Sequence, residues 1–478
     1  MIIWGIFDSV LSTIVSSLFL LTVIVTIVVV VLDNRNPVKT LAWVLVLSFL
    51  PVIGLVLYFF FGRDIRREKL ISKRGYDRLT KYPLAEFYQQ KSSDSLNEKH
   101  PLIRFFRNVN GALPFEGNTV RTFTDGYQMF QSLLEAIERA RHHIHLQFYI
   151  FEDDAAGRMV SDALIKKAKE GVEIRLLYDD VGSWKVDHSF FERMREAGIE
   201  TRGFLKVRFP MFTSKVNYRN HRKVVIIDGC VGFVGGMNIA LRYLKGVSWG
   251  IWRDTHIRVE GSAVYGLQVS FLTDWYAADR SLITSSCYFP EISSNGESLV
   301  QIVTSNPIGG MESIVQGLLI AITTSRKYFY IQTPYLLPTE PILMGLKTAA
   351  LGGVDVRIMI PERSDSRIAH LASLSYLEEL IKSGVKIYRY KKGFLHSKMM
   401  VSDDTLSTVG STNMDFRSFE HNFEVNAFLY DRPSAQKMKS IFLDDQKDAE
   451  LVSLKEWRMR PWYQKVAESV IRLFAPLL

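Results

Sequence analysis

Residues 221–238 read HRKVVIIDGCVGFVGGMN, and residues 396–413 follow the same pattern as HSKMMVSDDTLSTVGSTN. Both stretches carry the spacing His-x-Lys-x4-Asp, and both end in Gly, then Gly or Ser, then any residue, then Asn. Each predicts a β-hairpin, because an Asp-Gly or Asp-Asp turn separates two strand-like runs. A His and a Lys two positions apart on a strand project from the same face. The repeat therefore predicts two pairs of imidazole and ammonium groups.

The sequence around the two motifs is repeated as well. Helix-like and strand-like stretches alternate from about Val120 onward, and the same order recurs at an offset of about 182 to 186 residues. The offset is 175 residues at the motifs, so the first copy holds about ten extra residues between Phe204 and Asn220. We therefore predict an α/β fold in which two tandem repeats form one pseudo-two-fold catalytic unit.

The N-terminal sequence has the character of a membrane segment. No charged residue occurs from Val10 to Leu32, and this run of about 23 residues is long enough to cross a hydrocarbon core of about 30 Å. A second uncharged run extends from Leu41 to Gly62. We predict a two-span transmembrane hairpin over residues 1–62. A shallow hairpin that enters the membrane and returns, helped by Pro37 and Pro51, is the alternative.

Positive charges predict the orientation of this hairpin. Arg35 and Lys39 alone lie between the two runs, whereas six basic residues follow the second run at once: Arg63, Arg66, Arg67, Lys69, Lys73 and Arg74. The positive-inside rule places both ends in the cytoplasm and the short loop outside. We therefore expect a multi-pass protein of the inner (cytoplasmic) membrane whose catalytic part faces the cytoplasm.

The remaining sequence divides into four further regions. Residues 63–116 have weak periodicity and predict a juxtamembrane linker, residues 117–295 the first repeat and residues 296–455 the second repeat. Residues 456–478 predict an amphipathic segment, and lying on the membrane and packing on the catalytic domain are equally compatible with its pattern.

Composition limits the compartment and the partners. The two cysteines, Cys230 and Cys287, belong to no metal-spaced cluster, so a disulfide framework is not expected and a reducing compartment fits best. The net charge of +9 and the pI near 9.2 favour an anionic partner, either nucleic acid or an acidic lipid surface.

The paired motifs suit phosphodiester chemistry. A neutral imidazole can attack phosphorus, and a protonated imidazole can give its proton to the leaving alkoxide. Lysine and asparagine donors can hold the charge on the phosphoryl oxygens, so neither a metal ion nor another cofactor is expected. The candidate groups are His221, Lys223, His396 and Lys398, with Asn238 and Asn413 as donors.

Four carboxylates accompany these groups. Asp228 and Asp403 fall at the predicted turns, where Asp commonly makes local hydrogen bonds, so they orient the lysines or only shape the hairpins. Asp254 and Glu424 lie 33 and 28 residues after the motif histidines. We expect each to hold the second ring nitrogen of the histidine of its own copy, with a surface salt bridge as the alternative.

The extra segment of the first copy mixes basic and aromatic residues from Arg208 to Arg219. Such a mixture suits a loop at the level of lipid headgroups, and a plain surface loop is the alternative. Tyr218 and Arg219 are therefore candidate substrate-binding residues.

At these residues the sequence resembles the phospholipase D superfamily in its two-repeat form. With the N-terminal hairpin it resembles the bacterial cardiolipin synthase family over nearly the whole chain. Further matching segments are Arg35–Pro37, Ala42–Gly54, Phe148–Asp154, Tyr178–Ser183 and Gln332–Tyr335. The resemblance implies that two phosphatidylglycerol molecules give cardiolipin and glycerol. It also implies that His221 is the nucleophile, through a phosphohistidine, and that His396 is the general acid and later the base.

Other functions remain compatible with the motifs. A membrane-tethered phospholipase D that hydrolyses lipids and a phosphatidyltransferase that uses another alcohol share the same groups. A nuclease of the superfamily would suit the basic charge, but two membrane segments argue against a nucleic-acid substrate. An inactive membrane scaffold is opposed by the intact His and Lys pairs.

Overall fold

The structure is a computed structural model that describes residues 2–32, 37–58, 100–206, 217–292, 296–308 and 312–477. The chain divides into two compact units. One unit comprises Met1–Ile65 and Arg208–Asn217, and the other comprises Arg66–Val207 and Tyr218–Leu478.

The first unit begins with the long apolar helix α1 (Ile2–Leu32). Its segment Ser12–Leu32 is the only helix of the described residues that is long and apolar enough to cross a membrane. At 1.5 Å per residue these 21 residues extend about 31 Å, which matches the hydrocarbon thickness. The first predicted span is therefore a continuous helix.

The second apolar run is broken. It forms α2 (Pro37–Phe49) and α3 (Pro51–Leu57), because Pro51 has no N–H to continue the helix. The rings of Trp43 and Tyr58 lie 5.4 Å apart, although 15 positions of one straight helix would separate them by about 22 Å. Hence α3 folds back along α2. Gly54 allows the close approach, since a Cβ there would lie 2.9 Å from the Val46 carbonyl oxygen.

The described residues of the second apolar run therefore do not form one straight membrane-spanning helix. Neither α2 nor α3 has the roughly 20 residues that a crossing needs. The reversal of the chain at Pro51 resembles the shallow hairpin that the sequence analysis gave as the alternative to two spans. Residues 59–62 of the predicted hairpin lie outside the described residues.

The second unit opens with α4 (Pro101–Asn110), which lies inside the stretch predicted to be a linker. The His100 side chain caps its start, and Gly111 ends it with a φ of 67°. Its buried face carries Leu102, Ile103 and Phe106, which pack against the second repeat. The linker prediction is wrong for these residues. The helix is stabilised by packing against residues about 200 positions later in the chain, which a local pattern does not show. Residues 63–99 of that stretch lie outside the description.

Each copy contributes seven strands to one sheet. The first copy comprises β1 (Pro114–Phe123), α5 (Gly126–Arg139), β2 (His143–Phe148), α6 (Ala155–Lys169), β3 (Glu173–Asp179), α7 (His188–Glu196), β4 (Glu200–Phe204), β5 (Val224–Ile227), β6 (Val231–Gly235), α8 (Arg242–Lys245), β7 (Ile251–Arg253), β8 (His256–Glu260) and α9 (Val264–Asp279).

The second copy follows the same plan. It comprises β9 (Ser298–Ser305), α10 (Ser313–Thr324), β10 (Tyr328–Gln332), α11 (Glu340–Leu351), β11 (Asp355–Pro361), α12 (Arg367–Leu374), α13 (Leu377–Lys382), β12 (Lys386–Tyr390), β13 (Gly393–Leu395), β14 (Met399–Ser402), β15 (Leu406–Gly410), α14 (Phe416–Glu420), β16 (Glu424–Leu429) and α15 (Arg432–Gln446). The chain then forms β17 (Ala449–Leu451), α16 (Leu454–Arg458) and α17 (Trp462–Arg472).

The strand order shows the duplication directly. It runs β17-β12-β11-β10-β14-β15-β16-β9-β1-β8-β6-β5-β2-β3-β4, so a pseudo-dyad lies between β9 and β1. The three outer strands of each copy are parallel, as βαβ crossovers require, and the motif hairpins β5–β6 and β14–β15 are antiparallel. The predicted duplicated α/β architecture is confirmed.

A second, small sheet joins the copies at the motifs. Strand β7 of the first copy pairs in parallel with β13 of the second, with Trp252 opposite Phe394. A single bridge between Asn220 and Phe423 makes the corresponding contact on the other side of the dyad. The residues just before each motif histidine are thus held by the other copy.

Candidate active site

The two motif histidines lie just before the hairpin strands, at the ends nearest the pseudo-dyad. The His221 N–H donates to the Phe423 carbonyl at 3.0 Å, and the His396 N–H donates to the Arg253 carbonyl at 2.7 Å. Each backbone is therefore positioned by the opposite copy. Both side chains line one cavity of about 310 Å³, so the two motifs form a single site.

Each histidine is held by a carboxylate of the other copy. The Nδ1 of His221 lies 3.0 Å and 3.1 Å from the two Glu424 oxygens, and the Nδ1 of His396 lies 2.5 Å from Asp254. The expected pairing within one copy is therefore wrong, although the predicted carboxylates are the partners. The crossed pairing follows from the strand contacts at β7–β13 and Asn220–Phe423, which place each carboxylate across the dyad.

Both carboxylates are fully buried and remain ionised. Burial alone would raise the pKa of Asp254, but Lys398 and His396 outweigh it and hold the pKa below its ordinary value. His221 and Lys223 lower the pKa of Glu424 in the same way. A carboxylate at Nδ1 fixes the tautomer in which Nε2 carries the free lone pair.

The histidines themselves are kept neutral. Burial lowers the pKa of His221 to about 4, although the Glu424 carboxylate opposes the shift. Burial and Lys398 also lower the pKa of His396, against the effect of Asp254. The ring of Tyr149 contacts His221 at a centroid distance of 5.1 Å, and Trp252 contacts His396 at 5.4 Å. An aromatic ring therefore covers one side of each imidazole.

The two lysines lie behind the histidines. Lys223 and Lys398 are buried, and the ammonium of each donates to the carbonyl of the histidine in its own motif. Burial lowers the pKa of Lys223 well below its ordinary value and that of Lys398 to about 8. Neither lysine is among the described residues that line the cavity, so a direct contact with a bound phosphate stays a prediction.

The motif aspartates are turn residues in this structure. Asp228 and Asp403 have φ values of 51° and 54°. Each carboxylate accepts from three successive backbone N–H groups at the start of a neighbouring strand, at residues 141–143 and 326–328. This geometry supports the structural reading that the sequence left open.

The two motif asparagines line the cavity but differ in their bonding. The Asn238 side chain accepts from the Ile150 N–H at 3.1 Å and donates to the Tyr243 hydroxyl at 2.8 Å. The Asn413 Nδ2 is bound to Asp415, and its buried Oδ1 has no hydrogen-bond partner in the part of the chain that the structure describes. Both asparagines lie at the cavity, and each Nδ2 has a partner within the protein, so their role as phosphate donors stays a prediction.

The predicted lipid-binding residues have different positions. Arg219 lines the cavity and is buried in an ion pair with Asp179 at 3.4 Å. Tyr218 is buried beside His421, with ring centroids 5.8 Å apart, and is not among the described lining residues. Residues 208–216 of the expected headgroup loop lie outside the described residues.

Several lining residues belong to no motif that the sequence shows. They are Arg242, Tyr335, Asp365, Ser366, Asp415, Arg417 and Asn422. The segment ending in Tyr335 was visible as part of the resemblance. The others lie in loops and short helices of no local signature, and only the tertiary fold brings them to the cavity.

Comparisons with known proteins agree with this site. The family described as "Cardiolipin synthase, PLD-like domain" matches residues 133–248 and 318–446, one match in each copy. The family described as "Phospholipase_D-nuclease N-terminal" matches residues 20–63.

Similar proteins extend over nearly the whole chain. Cardiolipin synthase 2 of Bacillus anthracis is 42% identical over 457 residues, covering 94% of this chain and 89% of that protein. The major cardiolipin synthase ClsA of Bacillus subtilis is 40% identical over 482 residues, covering 98% and 100%.

The fold has a solved counterpart as well. The phosphatidylserine synthase of Haemophilus influenzae matches with a TM-score of 0.59 at 15% identity, covering 79% of this chain and 98% of that one. At that identity it supports the fold alone. Given the two motif-bearing repeats and the full-length relatives, the chain belongs to the cardiolipin synthase family of phospholipase D-like proteins.

Proposed function

We propose that this enzyme transfers a phosphatidyl group from one phosphatidylglycerol to another, giving cardiolipin and glycerol. One observation carries the proposal: two histidines line one cavity, and each has its Nδ1 on a buried carboxylate of the other copy. Two imidazoles with free Nε2 atoms are what a double displacement at phosphorus needs, one as nucleophile and one for proton transfer.

The first step forms a phosphohistidine. The Nε2 of neutral His221 attacks phosphorus, the bond from phosphorus to the glycerol oxygen breaks, and His396 gives a proton to that oxygen. The low pKa of His221 keeps its lone pair available. Binding of an anionic phosphodiester raises the pKa of a neighbouring imidazole, so the bound substrate favours the protonated His396 that this step requires.

The second step reverses the roles. A hydroxyl of the second phosphatidylglycerol gives its proton to His396 and attacks phosphorus, and the bond to His221 breaks. The products are cardiolipin and a regenerated neutral His221. In both steps the arginines that line the cavity supply donors for the phosphoryl oxygens. Lys223 and Lys398, which are buried behind the histidines, are proposed as further donors.

The second copy supplies groups that fit a polyol. The Nδ2 of Asn422 donates to Glu424 at 3.1 Å, so its buried Oδ1 is directed elsewhere and has no partner among the described residues. Asp365 accepts from the Tyr335 hydroxyl at 2.5 Å and lines the same cavity. Carbonyl and carboxylate acceptors of this kind suit the hydroxyls of a glycerol headgroup. They favour an alcohol as the second nucleophile.

The same proposal includes a membrane position with the catalytic unit facing the cytoplasm. The six basic residues after the second apolar run favour that side. If α1 is a single crossing and the chain turns back at Pro51, Arg35 and Lys39 are also inside and the N-terminus is outside. With two crossings the N-terminus is inside. Protease removal of an N-terminal tag in spheroplasts distinguishes the two arrangements.

Product analysis tests the reaction. The full-length protein in detergent micelles receives isotopically labelled phosphatidylglycerol, and mass spectrometry resolves the products. We expect cardiolipin and glycerol in equal amounts. Phosphatidic acid without cardiolipin would identify a hydrolase, and cleavage of added DNA without lipid turnover would identify a nuclease. His221→Ala should abolish turnover, whereas His188→Ala, on the exposed start of α7, is the matched control.

A further inference from the structure

The C-terminal helix α17 has its apolar face turned outward. Large apolar residues are exposed at intervals of about one turn along α17 and at the two positions that follow it: Trp462, Tyr463, Val466, Val470, Leu473 and Phe474. Since successive helix positions differ by about 100°, these six side chains form one stripe. Trp462 and Leu473 are 75% and 77% exposed. A helix of a soluble domain ordinarily buries such a stripe.

The inward face of α17 carries charged residues beside one partly buried apolar residue, Ile471, which packs against the hydrophobic core of the second copy. Glu468 is only 4% exposed and forms a two-pronged ion pair with Arg460 at 2.6 Å and 3.1 Å. Arg472 stacks on the Tyr376 ring at 4.1 Å and pairs with Glu379 at 3.6 Å. The helix is thus fastened to the domain by its charged side. This arrangement leaves the apolar stripe available for another surface.

The charges around the stripe select the kind of surface. Glu468 is the only carboxylate between residues 459 and 474, and it is turned inward. Lys465 and Arg458 flank the stripe on the same segment, and Arg458 is about half exposed and pairs with Glu378 at 3.3 Å. The exposed Arg363 and Arg367 add positive charge at the start of the adjoining helix α12. An exposed aromatic and aliphatic stripe with a basic border matches the interface of an acidic bilayer. A second copy would bring the same positive border against this one.

The position of the stripe relates it to the cavity. Helix α12 packs against α17, and at its start Ser366 and Ala369 line the active-site cavity. Ile368 lies between these two residues and is 55% exposed. The surface formed by α17 and the start of α12 therefore adjoins the cavity wall.

We propose that α17 is a membrane-docking helix, which lays its apolar stripe into the interface of an anionic bilayer and holds the cavity beside the lipid surface. Docking of α17 on the bilayer does not depend on which reaction the enzyme catalyses. The further claim, that docking brings lipid substrate to the cavity, rests on the proposed function.

Site-directed fluorescence tests the docking on the full chain. In a Cys230→Ser, Cys287→Ser background, Val470→Cys carries an environment-sensitive fluorophore. Leu351→Cys is the control, because Leu351 is also exposed, at 72% against 50% for Val470, and lies at the end of α11 outside the stripe. The protein is reconstituted into vesicles of equal phosphatidylglycerol and phosphatidylcholine that contain a spin-labelled quencher lipid. We expect quenching and a blue shift at position 470 and neither at position 351.

Two further measurements complete the test. In phosphatidylcholine vesicles, where α1 still anchors the chain, quenching at position 470 should fall. The variant Trp462→Ser, Leu473→Ser should lower activity on vesicles by about tenfold but leave activity in detergent micelles unchanged. A fluorophore at position 470 that stays in water, or that responds only to protein density because copies associate, would overturn the proposal. Quenching needs no turnover, so its failure is distinct from failure of the proposed function.

Discussion

The two copies of the motif have the same framework and different walls. Asp228 and Asp403 adopt the same left-handed turn and accept the same three backbone hydrogen bonds. The lining of the cavity differs: among the described residues the first copy contributes Arg219 and Arg242 and no carboxylate, whereas the second contributes Asp365, Asp415 and Arg417. The hairpin geometry is common to both copies because folding demands it. The cavity walls are free to diverge, and they give one phosphodiester site two chemically distinct sides.

The largest expected effect separates the two histidines. His221→Ala should lower turnover by roughly 10⁴-fold or more and leave no covalent adduct, because the nucleophile is gone. His396→Ala should lower turnover similarly but allow a phosphoryl adduct on His221 with a substrate whose leaving group needs no proton. Mass spectrometry of the quenched protein measures the adduct. An adduct in His221→Ala, or at residue 396 of the wild type, would reverse the assignment.

Substitution of the carboxylates that pair with the histidines across the dyad should have the second-largest effect on kcat. Glu424→Gln and Asp254→Asn should each lower kcat by about 10² to 10⁴-fold, because an amide can present N–H to Nδ1 and favour the wrong tautomer. Thermal unfolding should change little in comparison. Glu196→Gln, on an exposed helix position, is the control. Each copy expressed without the other should be inactive, since each histidine would lack its partner.

The turn aspartates should affect stability more than catalysis. Asp228→Ala removes the acceptor of three backbone N–H groups and places alanine at a positive φ, so we expect a loss of about 2–3 kcal/mol in the free energy of unfolding. Asp153→Ala, which removes an exposed ion pair with Arg158, is the control and should change the free energy of unfolding far less. Thermal unfolding in detergent measures both. A folded Asp228→Ala enzyme with greatly reduced kcat would contradict the structural role.

The smallest effect concerns pH. His221 has its pKa lowered to about 4, so it is neutral above that pH and loses its lone pair to a proton below it. Lys398 has its pKa lowered to about 8, so its positive charge is present below that pH and is lost above it. The rate should therefore fall below about pH 4 and above about pH 8, about tenfold per pH unit at each limb. Lys398→Arg should remove the alkaline limb, and an unchanged limb would exclude Lys398 as its origin.

The sequence by itself determined what depends on short-range pattern. Each motif hairpin is contained within 18 residues, so its strands, its turn and the positions of His and Lys were readable, as was the duplication. The length and composition of α1 were equally local properties. Asp254 and Glu424 were candidates because each follows the motif of its own copy at a similar distance in the sequence.

Only the tertiary structure decided which groups meet. Glu424 is 203 positions from His221 and Asp254 is 142 from His396, so their crossed pairing depends on strands that associate across the dyad. The outward apolar face of α17 depends likewise on the ion pairs that fasten its polar face. Periodicity shows that a helix has two faces, but the energy of the whole packed surface decides which one is buried.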